Sequence, residues 1–245
     1  MKNILKKALV SPWTALLTLA LVVGVRVADP TFVESVRLRY FDTLITAKEP
    51  TVNNIVTVNI DEDSLNKYGQ WPIPRAKYAE IVRDLYQRNA GLVVLNVLMS
   101  EQDRTGGDSA LGQTLTQFPV VLSSAPAQKT KNTPRVPGSA VINSEFADQI
   151  VTYPGLIANV PVLENNAAGV GITNTLPEVD GVNRRIPLVV TVNDKIYPSI
   201  AMETLRVAAG DSTVQVKLFE GGVEKMRIPK FGPIATDSLG RVWID

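Results

Sequence analysis

The hydrophobic positions begin with one uninterrupted run. Residues 8–25 (ALVSPWTALLTLALVVGV) are an uncharged stretch of 18 residues. That length is near the lower limit for crossing about 30 Å of hydrocarbon, and Arg26 can extend the run by snorkelling. Three lysines precede it, so the positive-inside rule predicts a cytoplasmic N-terminus over residues 1–7. We therefore predict a transmembrane helix over 8–28, with the rest of the chain outside.

Two alternatives exist for this run: a cleaved signal peptide and a buried core helix. A signal peptide would have an apolar core of about 7 to 15 residues and small residues in an A-x-A-like pattern at the cleavage site. In the segment VRVADP, Arg26 stands two residues before Ala28. This poor match favours an uncleaved anchor. The predicted location is the inner (cytoplasmic) membrane, with a periplasmic or extracellular domain.

After Pro30 the apolar positions change to helical spacing, with charges between them. The apolar positions are Val33, Val36, Tyr40, Phe41 and Leu44. The pattern predicts an amphipathic juxtamembrane helix over 30–50 that ends at Pro50. It is either an ordinary first core helix or a lever that joins the membrane span to the domain beyond it.

The next pattern alternates strand and helix. Residues 55–60 (IVTVNI) are short and rich in β-branched side chains, which predicts a strand. Helical spacing follows between Pro74 and Gly91, and residues 92–98 (LVVLNVL) predict a buried strand. A strand, a helix and a near-continuous apolar strand predict a βαβ unit with parallel strands. Within WPIPR, the prolines are expected to hold Trp71 against its neighbours.

Later segments favour mixed pairing. Residues 182–198 predict two strands joined at Asn193 and Asp194, and a helix follows that ends at Gly210. Alternation around Gly221 predicts a hairpin, whereas the proline-rich residues 123–140 predict a surface loop. The fold class is therefore α/β, with a mixed, partly parallel sheet and flanking helices, over a domain of residues 51–245.

Composition removes several kinds of chemistry. The 245 residues include no Cys and no His. This excludes disulfides, thiolate nucleophiles, Ser-His-Asp triads and the usual zinc sites. Beyond residue 29 acids slightly outnumber bases, so no basic surface for nucleic acid is indicated. We predict no cofactor.

Acidic residues follow both strands of the predicted βαβ unit. Asp61, Glu62 and Asp63 come after the first strand, and Glu101 and Asp103 come after the second. Carboxyl ends of parallel strands share one edge, so a hard cation would find oxygen ligands there. Asp61, Asp63 and Glu101 are weak candidates for such a metal site. The calcium-loop pattern is not present, and capping of a short helix by Asp61 or Asp63 is favoured.

A second polar motif follows a predicted turn. Asp180 and Gly181 suit a turn, and Arg184 and Arg185 then enter a strand on opposite faces. One arginine is expected to point inward. It would form an ion pair with Asp180 or Asp61, or would recognise an anion in a pocket.

Two long segments resemble CHASE2 domains, over roughly residues 33–245. The first is IVTVNIDEDSLNKYGQWPIPRAKYAEIVRDLYQRNAGLVVLNVLMSE, and the second is GVGITNTLPEVDGVNRRIPLVVTVNDKIYPSIAMETLRVAAG. The first matches at Asp61, Ser64, Leu65, Gly69, Trp71, Pro72, Pro74, Arg75, Ala90 and Gly91, with the last pair in reversed order. The second matches at Asp180, Gly181, Arg184, Arg185, Pro187, Tyr197, Pro198 and Ser199. The family's second strand usually carries Asp where this chain has Asn96.

The resemblance implies an extracytoplasmic sensor of a bacterial adenylate cyclase, histidine kinase or diguanylate cyclase. It implies a region that is not itself an enzyme, that receives an unidentified small-molecule or protein signal, and that forms a homodimer in the membrane. Family members continue with a last strand, further membrane helices and an output domain. We therefore expect the N-terminal portion of a longer receptor, or a member without output.

Two other functions stay open at this point. They are a metal-assisted hydrolase using Asp61, Asp63 and Glu101, and a membrane-anchored binding or assembly protein. The candidate ligand-binding or signature residues are Asp61, Asp63, Trp71, Arg75, Asn96, Glu101, Asp180, Arg184, Arg185, Tyr197 and Ser199.

Overall fold

The computed structural model describes residues 11–45, 54–135 and 138–244. The chain divides into two compact units. The first comprises the residues up to Ile55 together with Pro177–Val182, and the second comprises Val56–Leu176 and Asn183–Ile244.

The first unit contains two helices, α1 (Pro12–Ala28) and α2 (Thr31–Ile45). Ser11 caps α1, since its Oγ accepts a hydrogen bond of 3.3 Å from the Trp13 N–H. These helices lie where the sequence predicts the anchor and the juxtamembrane helix. Residues 8–10 and 46–50 of those predictions lie outside the described residues.

Among the described residues, no single helix combines the length and hydropathy needed for a membrane span. Helices α1 and α2 meet the criterion only as a pair, with a bend of 84° at the break between them.

The second unit holds the remaining elements. Its helices are α3 (Glu62–Tyr68), α4 (Arg75–Gln87), α5 (Asp108–Gln117), α6 (Pro161–Glu164) and α7 (Ile200–Ala208), with a 3-10 helix at Ser144–Gln149. Its strands are β1 (Val93–Leu95), β2 (Val120–Ala127), β3 (Ser139–Ile142), β4 (Thr152–Tyr153), β5 (Gly155–Ile157), β6 (Gly169–Ile172), β7 (Arg185–Pro187), β8 (Val189–Val192), β9 (Lys195–Pro198), β10 (Val214–Phe219), β11 (Gly222–Ile228), β12 (Gly232–Ile234) and β13 (Arg241–Trp243).

Strand β2 is the centre of a small parallel sheet. It pairs in parallel with β1 on one side and β6 on the other, and β5 joins its end in the antiparallel sense. Helices α4 and α5 pack their apolar side chains on this sheet to form one hydrophobic cluster. The mixed, partly parallel α/β fold predicted from the sequence is confirmed.

The remaining strands build a second core. Strands β3 and β10 pair in parallel, while β10, β11 and β12 form an antiparallel meander. Strands β8 and β9 form the predicted hairpin, and Asn193 and Asp194 at its turn have φ of 48° and 62°. Positive φ at both central residues is the geometry that suits the twist of a two-residue hairpin.

The predicted strand over 55–60 is not formed. These residues belong to no strand of the structure, and Val56 is 84% exposed. Strand β1 instead pairs with β2, so α5 provides the crossover between parallel strands in place of α4. β-branched residues favour an extended backbone, but an extended segment becomes a strand only where a neighbouring edge is available.

The prediction of a surface loop over 123–140 is also wrong for its first residues. Ser123 and Ser124 are buried in β2, the central strand. The Ser124 hydroxyl donates to the Gly171 carbonyl at 3.3 Å on the neighbouring strand. A small hydroxyl that finds a backbone acceptor can lie inside a sheet, and this contact joins residues far apart in the sequence.

Candidate functional site

The signature residue Arg75 lies at the centre of a partly buried polar network. It is the first residue of α4, after Pro74, and is 9% exposed. Its backbone N–H, one of the unpaired donors of a helix start, donates to Oδ2 of Asp103 at 2.9 Å. Its guanidinium donates to the Asp108 carboxylate and the Glu101 carbonyl oxygen. The Arg75–Asp108 contact is a structural ion pair, and together with the Asp103 hydrogen bond it fixes the start of α4.

The loop between β1 and α5 folds around the Asp103 carboxylate. Its Oδ2 accepts from Gly107 N–H at 3.0 Å, and its Oδ1 accepts from Thr105 N–H at 3.1 Å. Burial raises the pKa of this carboxyl, but the hydrogen bonds from Thr105, Arg75 and Gly107 outweigh burial and lower the pKa. A Cβ on Gly107 would lie 2.5 Å from the Ala76 nitrogen, so only glycine fits there.

The acids after the predicted strands take separate roles. Asp61 caps α3, since its Oδ1 accepts from the Ser64 N–H at 2.9 Å and the Ser64 hydroxyl at 2.7 Å. These hydrogen bonds lower the Asp61 pKa. Asp63 is exposed in the first turn of α3. Glu101 pairs with Lys131 at 2.8 Å, and this contact lowers its pKa. In the part of the chain that the structure describes, no three acids form a metal-binding group.

Two further signature positions lie at the surface. Trp71 is 53% exposed, whereas Ile73, between the two prolines, is part of the core. The expectation that the prolines hold Trp71 against the protein is therefore wrong, because the buried side chain of this segment is Ile73. The Asn96 Oδ1, where the family usually has a carboxylate, accepts from the Thr173 hydroxyl at 3.1 Å.

Arg184 and Arg185 differ in burial, as the alternation of side chains along a strand predicts. Arg184 is buried, while Arg185 is half-buried in β7. The Arg185 guanidinium lies 3.3 Å from Oδ2 of Asp237 and 4.9 Å from the centre of the Trp243 ring. Asp237 was not named from the sequence, since β13 brings it to β7 from the end of the chain. The Asp180 carboxylate accepts from the Val182 N–H at 3.2 Å within its turn.

A cavity of about 140 Å³ lies within the second unit, near the end of the parallel sheet. Tyr197, from the second signature, lines it. Ser199 lies two residues further on and caps α7, where its hydroxyl accepts from the Met202 N–H at 3.2 Å. The other lining residues are Ser124, Pro134, Arg135, Gly138, Leu156, Glu164, Val170, Glu203, Arg206 and Ser212.

Four charged side chains line this cavity, and two of them neutralise one another. The Arg206 guanidinium contacts both carboxylate oxygens of Glu203, at 2.7 and 2.8 Å. Glu164 is different, because the groups that donate to its carboxylate in the described part of the chain are all neutral N–H groups. These are Arg135 N at 2.9 Å, Asn159 N at 3.1 Å and Asn159 Nδ2 at 3.0 Å. Burial, and then the negative charge of Glu164, raise the Tyr197 pKa.

Sequence reasoning did not find Glu164, Glu203 or Arg206. A Glu and an Arg three residues apart in a predicted helix were the available signal for the last two. Glu164 gave no such signal, since its partner Asn159 is positioned by the Met99 N–H and the Ser123 carbonyl.

The chain matches the CHASE2 domain family over residues 17–245. It therefore belongs to the CHASE2 family, an extracellular sensory domain family of signalling receptors. No curated protein and no solved structure matches the chain.

Proposed function

We propose that the chain is the extracytoplasmic sensory region of a membrane receptor, and that it relays an external signal to a cytoplasmic cyclase or kinase. The observation that carries this proposal is the family match, which begins at residue 17, inside α1. The sensory domain and the apolar helix are therefore parts of one family unit. In this proposal the region senses and transmits the signal, and any catalysis belongs to the output domain.

The character of α1 supports an anchor in the inner membrane. Its 17 residues contain one charged side chain, Arg26, and none of them is buried by the protein. Apolar side chains exposed all round a helix suit a lipid environment. The lysines before the helix favour a cytoplasmic N-terminus and a domain on the opposite side.

Helix α2 supports relay through a homodimer. Four of its exposed large apolar side chains recur every four residues, at Phe32, Val36, Tyr40 and Leu44. Residues at this spacing lie along one face of a helix, and a second copy of the chain would bury this α2 stripe. Because α2 follows α1 directly, rotation or separation of paired α2 helices would act on the membrane segments.

The relay is tested by cross-linking α2 in the membrane-bound receptor that carries its output domain. The chain has no native cysteine, so Val36→Cys introduces a single thiol into the α2 stripe. Oxidation should form a disulfide-linked dimer and change cyclic-nucleotide synthesis or phosphotransfer. Thr31→Cys is the matched control, because Thr31 is exposed and lies about 140° around α2 from Val36, and it should form much less dimer. Equal cross-linking at both positions, or a cross-link without effect on output, contradicts the proposal.

A further inference from the structure

The Glu164 carboxylate lines the cavity and is deeply buried. Glu164 is 1% exposed. Throughout the described ranges, no lysine or arginine forms an ion pair with it, and its three hydrogen-bond donors are neutral. A buried charge is strongly disfavoured unless an opposite charge pairs with it. A cation that enters the cavity and pairs with the carboxylate would therefore offset this cost.

The nearby arginine Arg206 is already occupied. Its guanidinium binds Glu203 through two nitrogens and donates to the Asp211 carbonyl at 2.6 Å. The Arg135 guanidinium donates to the Ala167 carbonyl at 2.6 Å, while the contact from Arg135 to Glu164 comes from its backbone N–H. Among the described residues, neither guanidinium forms an ion pair with Glu164.

The Glu164 carboxylate also keeps unused acceptor capacity. A carboxylate offers about four lone-pair sites. Asn159 occupies two at Oε2, and the Arg135 N–H occupies one at Oε1. Among the described residues no other group donates to Oε1, so one site there is left for an N–H donor from the cavity. The hydroxyl-bearing residues Tyr197 and Ser124 line the same space and can supply further polar contacts.

We infer that this cavity binds a small molecule through a primary ammonium group, which pairs with the Glu164 carboxylate and contacts the Tyr197 hydroxyl. The volume of about 140 Å³ corresponds to roughly four to five water molecules, so the ligand is small. An aliphatic amine and an α-amino acid share this ammonium chemistry. For an amino acid, Arg135 at the cavity wall would face the carboxylate. The inference rests on the proposed function in one respect only, namely that the bound ligand is the signal that the receptor senses.

Three probes of similar size test this with the full chain purified in detergent. Ethylammonium carries the ammonium alone, alanine carries ammonium and carboxylate, and propionate carries the carboxylate alone. Thermal unfolding followed by tryptophan fluorescence should shift upward with ethylammonium or alanine and stay unchanged with propionate, because a ligand stabilises the state that binds it. A larger shift with alanine identifies an amino acid, and a larger shift with ethylammonium identifies an amine. A shift with propionate, or with none of the three, overturns the inference.

Variants assign the binding to the carboxylate. Glu164→Gln removes the charge, and affinity for the responding probe should fall roughly tenfold or more. Glu220→Gln, a matched change at an exposed carboxyl between β10 and β11, should bind as the unmodified chain does. Unchanged affinity in Glu164→Gln overturns the inference. Because Glu164→Gln also disturbs the Asn159 contacts and can prevent folding, Tyr197→Phe is the second variant. It should weaken binding roughly two- to tenfold, and unchanged affinity there overturns the inference as well.

Failure of this inference and failure of the proposed function give different results. Binding is measured on the purified chain without any output. If the chain binds ethylammonium or alanine but the α2 cross-link leaves the output of the receptor unchanged, only the proposed relay is contradicted. A receptor that responds to the cross-link but whose sensor binds no ammonium probe contradicts the cavity assignment alone.

Discussion

The backbone N–H of Arg75 donates a hydrogen bond of 2.9 Å to the carboxylate of Asp103, 28 residues further along the chain. This contact attaches the start of α4 to the loop that leaves β1. The Arg75 guanidinium strengthens the attachment through Asp108, at the start of α5. One signature arginine therefore joins two helices and the loop between β1 and α5.

Replacing Arg75 should destabilise the domain strongly. Arg75→Met keeps much of the side chain's length but leaves Asp108 and the Glu101 carbonyl without their partner. Removing one member of a largely buried pair lowers the free energy of unfolding by about 3 kcal/mol. Denaturant unfolding of the full chain measures this loss. Lys77→Met, on the same helix, removes an exposed pair with Glu80 and should cause no measurable change. Equal stability of the two variants would contradict the structural role of Arg75.

Gly107→Ala should also be destabilising, for a steric reason. Its Cβ would lie 2.5 Å from the Ala76 nitrogen and 2.6 Å from Oδ2 of Asp103, so the backbone has to move. Crowding of this kind lowers the free energy of unfolding by about 1–3 kcal/mol. Gly91→Ala is the matched control, because a Cβ there meets nothing within 4 Å. If both variants unfold at the same denaturant concentration, the loop is not packed as described.

Stability should depend on the ionisation of Asp103. Its folded-state pKa is lowered, so the charged carboxyl stabilises the fold above its unfolded-state pKa of about 3.9. That contribution is lost as the pH falls through the lower, folded-state value. Asp103→Asn should therefore be less stable than the unmodified chain at neutral pH, and the difference should shrink below pH of about 4.

Urea unfolding at a series of pH values measures this difference for Asp103. Asp148→Asn, which changes an exposed carboxyl, should match the unmodified chain at neutral pH. A gap between Asp103→Asn and the unmodified chain that stays constant into strong acid would show that the charge of Asp103 does not contribute to folding.

Local chemistry made part of this fold predictable. Asp61 precedes a short helix and caps it, and Asn193 and Asp194 form the hairpin turn, because these residues act on backbone within a few positions. The position of α7 between Ser199 and Gly210 follows for the same reason. Such elements need no knowledge of the tertiary structure.

The errors and omissions depend on contacts between distant residues. The 55–60 segment has the composition of a strand, but no edge in the described part of the chain pairs with it. Ser123 has the local sequence of a loop residue, but it is buried in a strand and its carbonyl accepts from Asn159, 36 residues away. Asn159 in turn contacts Glu164, the centre of the inferred cavity site. Because these side chains acquire their roles only through tertiary packing, no local pattern marked them.

The placement of the sensory domain outside the cytoplasm is the central claim, and cysteine labelling in intact cells tests it most directly. The chain has no cysteine, so one introduced thiol reports its own position. Lys129→Cys is exposed on the second unit, and Asn3→Cys precedes the apolar helix. We expect a membrane-impermeant maleimide to label Lys129→Cys in intact cells and Asn3→Cys only after the membrane is opened. Labelling of Asn3→Cys alone in intact cells, or of neither before opening, would contradict the account.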